Sequence, residues 1–540
     1  MTKTIHKLLQ IELIFLSFLQ LLSGQQHEIR YQYMDVISYD FRITLNDSTD
    51  MIRGDAELNI SINKESDTIA IDLANINSSG KGMIIQTIRN ETGPVRFFHS
   101  GNKVLIPNAG IQAGSIQKFY ISYQGIPADG LIISKNKYGD RTFFGDNWPD
   151  RAHQWLPCVD HPSDKATLEF TINAPAHYQV VANGKCTWES INNGILSSHW
   201  ETSVPLPTKL MVIGVARFDI QNLASVSGVP VTSWVFPQNK DEGFSDYAVA
   251  VKPLLYFSRL IDPFPFTKLA NVQSTTPYGG MENASCIFYS ENSVPGMGRT
   301  ERLMAHEIAH QWFGDAVTEK EWAHIWLSEG FATYLTGMYI EHTYGKGPFL
   351  RHLNAEKEEV FEYEKQKYSA VMDTTLSVSA DLLNPNTYQK ASWVLHMLRK
   401  ELGDSLFISC LQTFYRSFKY KNATTDDFLH IVESVSSRDF NNFFNQWIYQ
   451  SGHPVLDITW THKDAFLILT IKQVQENIVY RFPLELKIIN KNSVSNLISL
   501  DITDTQNRFS LNYSENPIEI IPDPGNWLLM ESVVKEEKNE

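Results

Sequence analysis

The sequence is poor in cysteine, in positive charge and in long apolar runs. Its 540 residues include four cysteines, and none of them forms a CxxC pair or another spacing typical of a cysteine zinc site. Lys and Arg number 46 against 61 Asp and Glu, a formal charge of −15. Because nucleic-acid binding depends on clustered basic side chains, this balance argues against a nucleic-acid partner. The low cysteine content excludes a small disulfide-stapled scaffold.

The four cysteines are Cys158, Cys186, Cys286 and Cys410. We expect four free thiols, since a buried cysteine packs as a small apolar side chain. A single disulfide between Cys158 and Cys186 is the alternative, and it would fit an oxidising compartment.

The sequence also lacks internal repeats, low-complexity segments and a glycine-rich phosphate loop. With 43% hydrophobic and 20% charged residues it has the composition of an ordinary globular protein. Its length allows roughly three or four domains of about 100–200 residues each. A large, well-packed enzyme is therefore the leading expectation.

A short apolar run near the N-terminus predicts an export signal. Lys3 and Lys7 precede the run LIFLSFLQLL at residues 13–22, and two small residues follow it. The run is shorter than the roughly 20 residues that span a bilayer. We therefore expect residues 1–24 to be cleaved, giving a secreted or periplasmic mature chain with no stable membrane span.

The chain changes its pattern twice. Short alternating runs from about residue 31 to 218 predict strands, for example at 56–62, 118–125, 166–172 and 211–218. Apolar residues at three- and four-residue intervals then predict helices at 300–313, 323–344, 388–401, 404–418 and 425–437. Alternating runs return at 466–473 and 481–489. The pattern predicts a multidomain α+β protein that begins and ends with β structure.

We expect these domain boundaries: a signal peptide at 1–24, an all-β domain at 25–220, a mixed catalytic domain at 221–452, and a short C-terminal β-sandwich at 453–530. The remaining residues, 531–540, are expected to form a charged tail, and its last seven residues, VKEEKNE at 534–540, are expected to be frayed.

The segment HEIAH at residues 306–310 carries the most informative pattern. On a helix, His306 and His310 lie one turn apart on the same face, so both imidazoles can bind one metal ion while Glu307 sits beside them. The preceding residues favour a helix, and Gly314 provides a stop. The segment predicts a metal site on a helix.

A catalytic zinc ion normally takes three protein ligands and keeps a fourth position for water. Glu329 lies in a second amphipathic helix with 18 residues between it and His310, and it is the preferred third ligand. His324, at the start of that helix, is the alternative. One zinc ion held in this way would acidify a water and polarise a carbonyl, while Glu307 moves the proton. This is metal-assisted hydrolysis of an amide.

Three motifs occur together in this chain: HEIAHQWFGD, WLSEGFA and, upstream, GGMEN at residues 279–283. In combination they resemble the aminopeptidase N family of zinc metallopeptidases, whose relatives include leukotriene epoxide hydrolases. The resemblance extends to LPCVDHPSDKATLEF at 156–170 and NTYQKASWVLHMLR at 386–399, and covers roughly residues 31–454. It implies a thermolysin-like α+β catalytic domain and an enzyme that removes the first residue from peptides with a free N-terminus.

The resemblance also implies the catalytic roles. His306, His310 and Glu329 would bind one Zn²⁺, Glu307 would act as the general base, and the phenol of Tyr388 would stabilise the oxyanion.

The GGMEN segment is expected to bind the substrate. Glu282 would bind the free α-amino group, so that a single residue is removed. Gly279 and Gly280 would leave room for a substrate backbone to lie along the strand. Met281 would line the first side-chain pocket, and Asn283 completes the substrate-binding motif.

Some positions depart from the family pattern or stay open. Ala391 stands where the family often has a helix-packing glycine. A polar residue of the β domain usually helps to hold the amine, and here Asp146 and Asn147 are both candidates. Lys390 and Asp315 are interpreted as structural, and the alternative for Asp315 is that it orients a ligand histidine.

Three alternatives to an aminopeptidase are considered: a zinc endopeptidase, an epoxide hydrolase on the same scaffold, and an inactive zinc-binding protein. The oligomeric state is left open.

Overall fold

The structure is a computed structural model, and it describes residues 30, 32–107, 111–375, 379–476, 478–491 and 494–537. The expected signal peptide lies outside the described residues. The chain divides into two compact units. The first extends to Lys320 and includes Phe418–Asn422, and the second comprises Glu321–Ser417 and the chain from Ala423 onward.

The first unit begins with a region built almost entirely of strands. They are β1 Met34–Thr44, β2 Ile52–Ile62, β3 Thr68–Asp72, β4 Gly82–Asn90, β5 Gly93–Pro94, β6 Phe98–Ser100, β7 Lys103–Pro107, β8 Ile116–Ile126, β9 Leu131–Lys135, β10 Arg141–Gly145, β11 Lys165–Pro175, β12 Gln179–Ala182, β13 Lys185–Asn192, β14 Ile195–Glu201, β15 Leu206–Pro207 and β16 Ile213–Ala216. Single turns of 3-10 helix lie at Ala152–Gln154 and Thr208–Leu210.

These strands form three sheets. The largest has the order β13-β14-β11-β1-β2-β8-β4-β5, with β15 added beside β11. A second sheet has the order β12-β16-β10-β9, and a third β3-β7-β6. Strand β2 alternates buried and exposed side chains along its length, so one face of the large sheet packs on the core. The all-β character predicted for this region is confirmed.

The rest of the first unit is a mixed sheet with helices. Its strands are β17 Asp219–Val226, β18 Val229–Val235, β19 Leu269–Ser274, β20 Gly280–Met281 and β21 Cys286–Ser290, in the order β17-β18-β19-β21-β20. Its helices are α1 Lys240–Tyr247, α2 Val251–Leu260 and α3 Glu301–His310, with 3-10 turns at Pro237–Asn239 and Ala248–Ala250, and a short strand β22 follows at Val317–Glu319. Strand β20 therefore lies at an edge of this sheet.

The second unit is helical before it becomes a sandwich. Its helices are α4 Trp326–Tyr344, α5 Lys346–Glu364, α6 Ala391–Leu402, α7 Asp404–Phe418, α8 Thr425–Ser436 and α9 Asn441–Phe444. Shorter turns lie at Trp322–His324, Ser379–Leu382, Asn386–Lys390 and Asn445–Tyr449, the last two being π-helical. A short strand, β23, spans Lys421–Ala423, and its first two residues belong to the first unit. Each of the five predicted helices overlaps one of the helices α3, α4, α6, α7 and α8.

Two small sheets end the second unit. Their strands are β24 Val455–Lys463, β25 Phe466–Gln473, β26 Phe482–Asn490, β27 Ser495–Ile502, β28 Gln506–Asn512, β29 Pro517–Pro522 and β30 Glu531–Glu536. The sheet orders are β28-β25-β24-β30 and β27-β26-β29.

The expectation that VKEEKNE, residues 534–540, is frayed was wrong for its first three residues, and residues 538–540 lie outside the described part of the chain. Glu531–Glu536 forms strand β30, which pairs in parallel with β24. The charged side chains did not prevent pairing because the backbone supplies the hydrogen bonds of a strand at a sheet edge.

The four cysteines are all free in the structure, and the disulfide alternative is not formed. Cys158, Cys286 and Cys410 are buried and Cys186 is half-buried. Among the helices of the described residues, none has both the length and the apolar character needed to cross a membrane. The predicted fold class, a multidomain α+β chain with β structure at both ends, is confirmed.

Candidate active site

Helix α3 presents both histidines of the HEIAH segment. Their Nε2 atoms lie 3.1 Å apart, so the two rings converge on one point. His310 is buried, and its Nδ1 lies 3.2 Å from the carbonyl oxygen of Phe313. Because a carbonyl only accepts, Nδ1 carries the proton and donates it, and the lone pair of His310 Nε2 is left for a metal ion.

Glu329 lies in the first turns of α4 and is also buried. His306, His310 and Glu329 each offer one ligand atom, and these atoms all lie within 4.8 Å of one another. Two imidazoles and one carboxylate are a donor set that suits zinc. The alternative ligand, His324, is outside this group. Its Nδ1 lies 2.9 Å from the hydroxyl of Thr425, at the start of α8.

Glu307 is buried beside the two histidines on α3. Its carboxyl group lies against the backbone of Gly280 on the edge strand β20, where an added Cβ would come within 2.3 Å of Glu307 Oε1. At Gly279 an added Cβ would meet only Leu303, at 3.7 Å. The room predicted at the two glycines is therefore present at Gly279, whereas at Gly280 the side chain of Glu307 occupies it.

The rest of the GGMEN segment is buried. Met281, Glu282 and Asn283 are each less than 7% exposed. Glu282 Oε1 and both polar atoms of the Asn283 amide have no hydrogen-bond partner among the described residues. Buried polar atoms are nearly always paired in a folded protein, so these atoms mark a place where a ligand would supply the partner.

Gln311, which the sequence reasoning missed, holds this segment against α3. Its Nε2 donates to the carbonyl oxygen of Glu282 at 2.6 Å and to Asp315 Oδ2 at 2.8 Å, and its Oε1 accepts from the backbone N–H of Ser285 at 2.8 Å. The available signal was its position directly after His310. Gln311 thus sets the position of Glu282 relative to helix α3.

The structure distinguishes between Asp146 and Asn147. The Asn147 amide is fully used: it donates to the carbonyl oxygens of Thr208 and Met211 and accepts from Trp155 Nε1. Asp146 is 1% exposed, and its Oδ2 has no hydrogen-bond partner among the described residues.

The electrostatics of Asp146 connect it to Glu282. Burial, together with the negative charges of Asp129 and Glu282, raises the pKa of Asp146 to about 6, against the opposing charge of Arg151. Arg151 donates to Asp146 Oδ1 at 2.6 Å. Two buried carboxylates that repel one another, each with an oxygen lacking a partner among the described residues, form a place suited to a cation.

Asp315 belongs to a buried group of charged side chains that also contains Lys165, Lys209 and Glu319. Burial and the charge of Glu282 raise the pKa of Asp315 well above its usual range, although His310, Lys209 and Lys165 oppose this. Burial lowers the pKa of Lys165 to about 7. Lys209 forms a buried ion pair with Glu319 at 2.5 Å. These groups are consistent with the structural role expected for Asp315.

Tyr388 lies in the second unit, on the π-helical turn Asn386–Lys390, and is half-buried. The turn is anchored by its other side chains. Asn386 Nδ2 donates to the carbonyl oxygen of Ser369 at 2.8 Å, and the Thr387 hydroxyl donates to that of Asn384 at 2.9 Å. Short π-helical segments occur often at functional sites.

Two family models match the chain. The model described as Peptidase M1 N-terminal domain matches residues 36–210, and the model described as Peptidase family M1 domain matches residues 248–447. The second range contains the His/His/Glu group and the turn that carries Tyr388.

Several characterised proteins are similar to the chain over part of their length. Aminopeptidase M1-C of Oryza sativa subsp. japonica is 26% identical over 321 residues, which are 57% of this chain and 37% of that protein. Glutamyl aminopeptidase of Sus scrofa is 28% identical over 333 residues, 58% of this chain and 35% of that protein. The chain thus spans a little over a third of the length of these curated relatives.

Two solved structures share the fold. Aminopeptidase A of Legionella pneumophila, in complex with aspartic acid, superposes with a TM-score of 0.80 at 18% identity and covers 94% of this chain and 60% of that chain. A mutant of the M1 zinc metallopeptidase of Deinococcus radiodurans superposes with a TM-score of 0.66 at 22% identity, and the match covers 77% of this chain and 94% of that chain.

Proposed function

This chain belongs to the M1 family of peptidases, and from that premise we propose that it is a zinc-dependent aminopeptidase. It would hydrolyse the first peptide bond of peptides with a free N-terminus. The observation that carries the proposal is a pair of buried carboxylates that repel one another: Glu282, which Gln311 holds against helix α3, and Asp146. Each has one oxygen without a hydrogen-bond partner among the described residues, which a ligand ammonium could supply.

We propose His306, His310 and Glu329 as the zinc ligands. The convergence of the two Nε2 atoms and the tautomer of His310 support this assignment. When bound, zinc would acidify a water molecule and polarise the carbonyl of the scissile bond.

Glu307 is proposed as the general base, which takes a proton from the attacking water and returns it to the leaving amine. Its burial against Gly280 supports the role, because a fixed carboxylate needs no reorientation before it accepts the proton. Tyr388 is proposed to donate its phenolic O–H to the oxyanion that develops on the attacked carbonyl.

Glu282 and Asp146 are proposed to bind the α-amino group together. An ammonium donates three hydrogen bonds, so it can meet Glu282 Oε1 and Asp146 Oδ2 at once and neutralise their mutual repulsion. A substrate whose amine is acylated has no charge to offer, and it would leave both carboxylates without a counter-ion. The pair would therefore select free N-termini.

The substrate backbone is proposed to lie along strand β20. Because β20 is at the edge of its sheet and pairs only with β21 among the described strands, its other side can accept an extended peptide. Gly279 offers space there, Met281 would line the pocket for the first side chain, and the amide of Asn283 has no other partner among the described residues.

We further propose that the mature chain is secreted or periplasmic. Lys3, Lys7 and the apolar run at 13–22 support an N-terminal export signal. The N-terminal sequence of the exported protein tests this, and an intact N-terminus would contradict it. The domain boundaries at 24, 220, 452 and 530 are likewise kept as a proposal.

The test is hydrolysis of a panel of aminoacyl chromogenic substrates and of their N-acetylated counterparts, with and without a chelator and added Zn²⁺. Wild type should cleave only the free-amine substrates, and the chelator should abolish this. Glu282→Gln, which keeps the shape of the side chain and removes its charge, should lose most of that activity because the ammonium loses a charged partner.

Equal cleavage of the acetylated substrates would overturn the aminopeptidase in favour of an endopeptidase. Cleavage that persists in the chelator would overturn the zinc-dependent mechanism. If the protein cleaves none of the amide substrates but hydrolyses an epoxide, the epoxide hydrolase would be favoured instead.

A further inference from the structure

A chain of four alternating charges runs through the second unit and ends at the turn that carries Tyr388. It consists of Glu531, His453, Glu364 and Lys390. The proposed mechanism uses none of these side chains.

Lys390 is the inner end of this chain of charges. It is the last residue of the π-helical turn, two positions after Tyr388, and its side chain is 0% exposed. Its Nζ donates to Glu364 Oε1 at 2.6 Å and to the carbonyl oxygen of Gly452 at 2.7 Å. A fully buried ammonium is costly unless it is paired, so these two acceptors determine where Lys390 can lie.

Glu364 links Lys390 to His453. It is buried near the end of α5, and its second oxygen, Oε2, lies 2.5 Å from His453 Nδ1. Burial alone would raise the pKa of Glu364, but the hydrogen bond and charge of His453, together with Lys390, lower it. Glu364 is therefore an anion whose two oxygens point in two fixed directions.

His453 lies between two carboxylates. Its Nδ1 faces Glu364 and its Nε2 lies 3.0 Å from Glu531 Oε1, while its ring stacks on Phe361 at 4.2 Å between centroids. Ionised carboxylates only accept hydrogen bonds, and a neutral imidazole has a single N–H. Both contacts are satisfied together only by the imidazolium, so the charges alternate along the whole chain.

The outer end of the chain meets solvent. Glu531 is half exposed and lines a cavity of about 330 Å³ with His453. Lys365, Tyr368 and Glu476 line the same cavity. Lys365 pairs with Glu362 at 2.6 Å, outside the four-residue chain.

We propose that Lys390, Glu364 and His453 are positioning residues for Tyr388, which hold the π-helical turn so that the phenol meets the oxyanion. The proposal rests on the role given to Tyr388 in the proposed function. It follows from how the side chain of Lys390 is anchored. Lys390 Nζ is fixed by two acceptors, Glu364 and the carbonyl oxygen of Gly452, and Glu364 is itself fixed by the imidazolium of His453. Relaxing that anchor would let the turn shift and would weaken a contact made only in the transition state.

The test is a double-mutant cycle between Lys390→Met and Tyr388→Phe, measured as kcat and KM on a free-amine chromogenic substrate. We expect Lys390→Met to lower kcat roughly 10- to 100-fold, the scale that a displacement of about 1 Å can cost, with KM within about twofold. In the Tyr388→Phe background, Lys390→Met should cause little further loss, because the group it positions is already gone.

A second variant guards against loss of folding. Glu364→Gln keeps an amide oxygen for Lys390 but removes the charge, and we expect a smaller fall in kcat that again disappears in the Tyr388→Phe background. Lys365→Gln is the matched control, since it removes a charge that lines the same cavity and interacts only with the outermost member of the chain of charges, Glu531, and with none of the three proposed positioning residues. Zinc content and the melting temperature are measured for every variant.

Each outcome decides the proposal. Equal losses of kcat with and without the phenol would overturn the positioning role, as would a lower melting temperature with unchanged kcat. If Tyr388→Phe itself leaves kcat unchanged, the role of Tyr388 falls and positioning falls with it. A wild type that cleaves no free-amine substrate would instead overturn the proposed function, and there would be no reaction for Lys390 to support.

Discussion

At the scale of single residues, Asp146 has a proton equilibrium in the range where an enzyme works. Burial, Asp129 and Glu282 raise its pKa to about 6, although Arg151 opposes this shift. Below that pH Asp146 is neutral and cannot pair with an ammonium as a charge. Above it, the carboxylate can bind the substrate amine.

We therefore predict that the KM of wild type for a free-amine substrate falls as the pH rises from about 5 to 7. Asp146→Asn should remove this change and raise KM at pH 7 by about 10- to 100-fold, the value of a hydrogen bond to a charged group. KM measured across this pH range on one substrate checks it.

The same pH change has opposite effects on substrate binding and on folding: binding improves as the pH rises, whereas the stability of the fold decreases. Measuring both therefore separates the two effects. Asp146 has a pKa of about 6 in the folded chain against an ordinary value of 3.8, so its contribution to the free energy of unfolding falls as the pH rises through that range. Asp129→Asn is the control, because Asp129 contacts the same Arg151 at 3.1 Å but is half exposed. It should keep the pH dependence of KM and move its midpoint to lower pH, because one of the charges that raise the pKa of Asp146 is removed. A KM that does not depend on pH in wild type would contradict the role of Asp146.

The residue scale also shows what a sequence can predict. Glu307 and Glu282 were predictable because each lies in a short continuous motif, HEIAH and GGMEN respectively. The sequence did not distinguish Asp146 from Asn147, because the hydrogen-bond partners of the Asn147 amide lie 8, 61 and 64 positions away and are brought to it only by the fold. Gln311 was missed for the same reason: its partner Glu282 lies 29 positions away.

At the scale of elements, the unusual Ala391 is accommodated by a glycine on the facing helix. A Cβ added to Gly330 in α4 would lie 2.4 Å from the Cβ of Ala391, at the start of α6. Gly330 directly follows Glu329, so the close approach of α4 and α6 helps to set where that carboxylate lies. The small residue that packing requires is thus present, but on the opposite helix.

Gly330→Ala should therefore destabilise the protein by about 1–3 kcal/mol, the usual effect of overpacking. It should also weaken zinc binding, because α4 must move away from α6. Adding Ala391→Gly should restore much of both losses, since it removes the atom that clashes. Urea unfolding and zinc titration of the single and double variants check this.

Gly347→Ala is the matched control in α5. An added Cβ there meets only Arg351, at 3.8 Å, so the change should be neutral or stabilising by up to about 1 kcal/mol through helix propensity. If Gly330→Ala behaves like Gly347→Ala, the packing argument is wrong.

Elements with strong periodicity were predictable, and those with mixed signals were not. The strand at 466–473 has the predicted bounds. Helix α5 was missed because its first residues, Lys346, Gly347 and Pro348, are typical of a turn, although proline is tolerated in the first turn of a helix. Helix α8 begins one residue after its cap Thr424, whose capping box uses Asp427.

At the scale of the whole molecule, the order of β region, helical region and C-terminal strands followed from changes in periodicity along the chain. The path of the strands did not, because pairings such as β1 with β11 join residues about 130 positions apart. Alternation predicts which face of a strand is buried, but it does not specify the partner of that strand.

The proposed zinc ion should affect stability as well as activity. A ligand that binds only the folded chain stabilises it, by about 4 kcal/mol when it is present at a thousand times its dissociation constant. His306, His310 and Glu329 are separated in sequence by up to 23 positions, and unfolding disperses them. We predict that a chelator lowers the temperature of the first unfolding transition by several degrees and that added Zn²⁺ restores it.

Two variants separate the structural effect of the metal from the chemistry. His306→Ala removes a ligand, so its unfolding temperature should no longer respond to the chelator. Glu307→Gln keeps all three ligands, so it should respond as wild type does while its kcat falls by about 10²- to 10⁴-fold, the usual contribution of a general base. Calorimetry with and without chelator checks both. An unchanged transition in wild type that holds stoichiometric zinc would contradict this prediction, because it would mean that the unfolded chain binds the ion as tightly as the folded chain does.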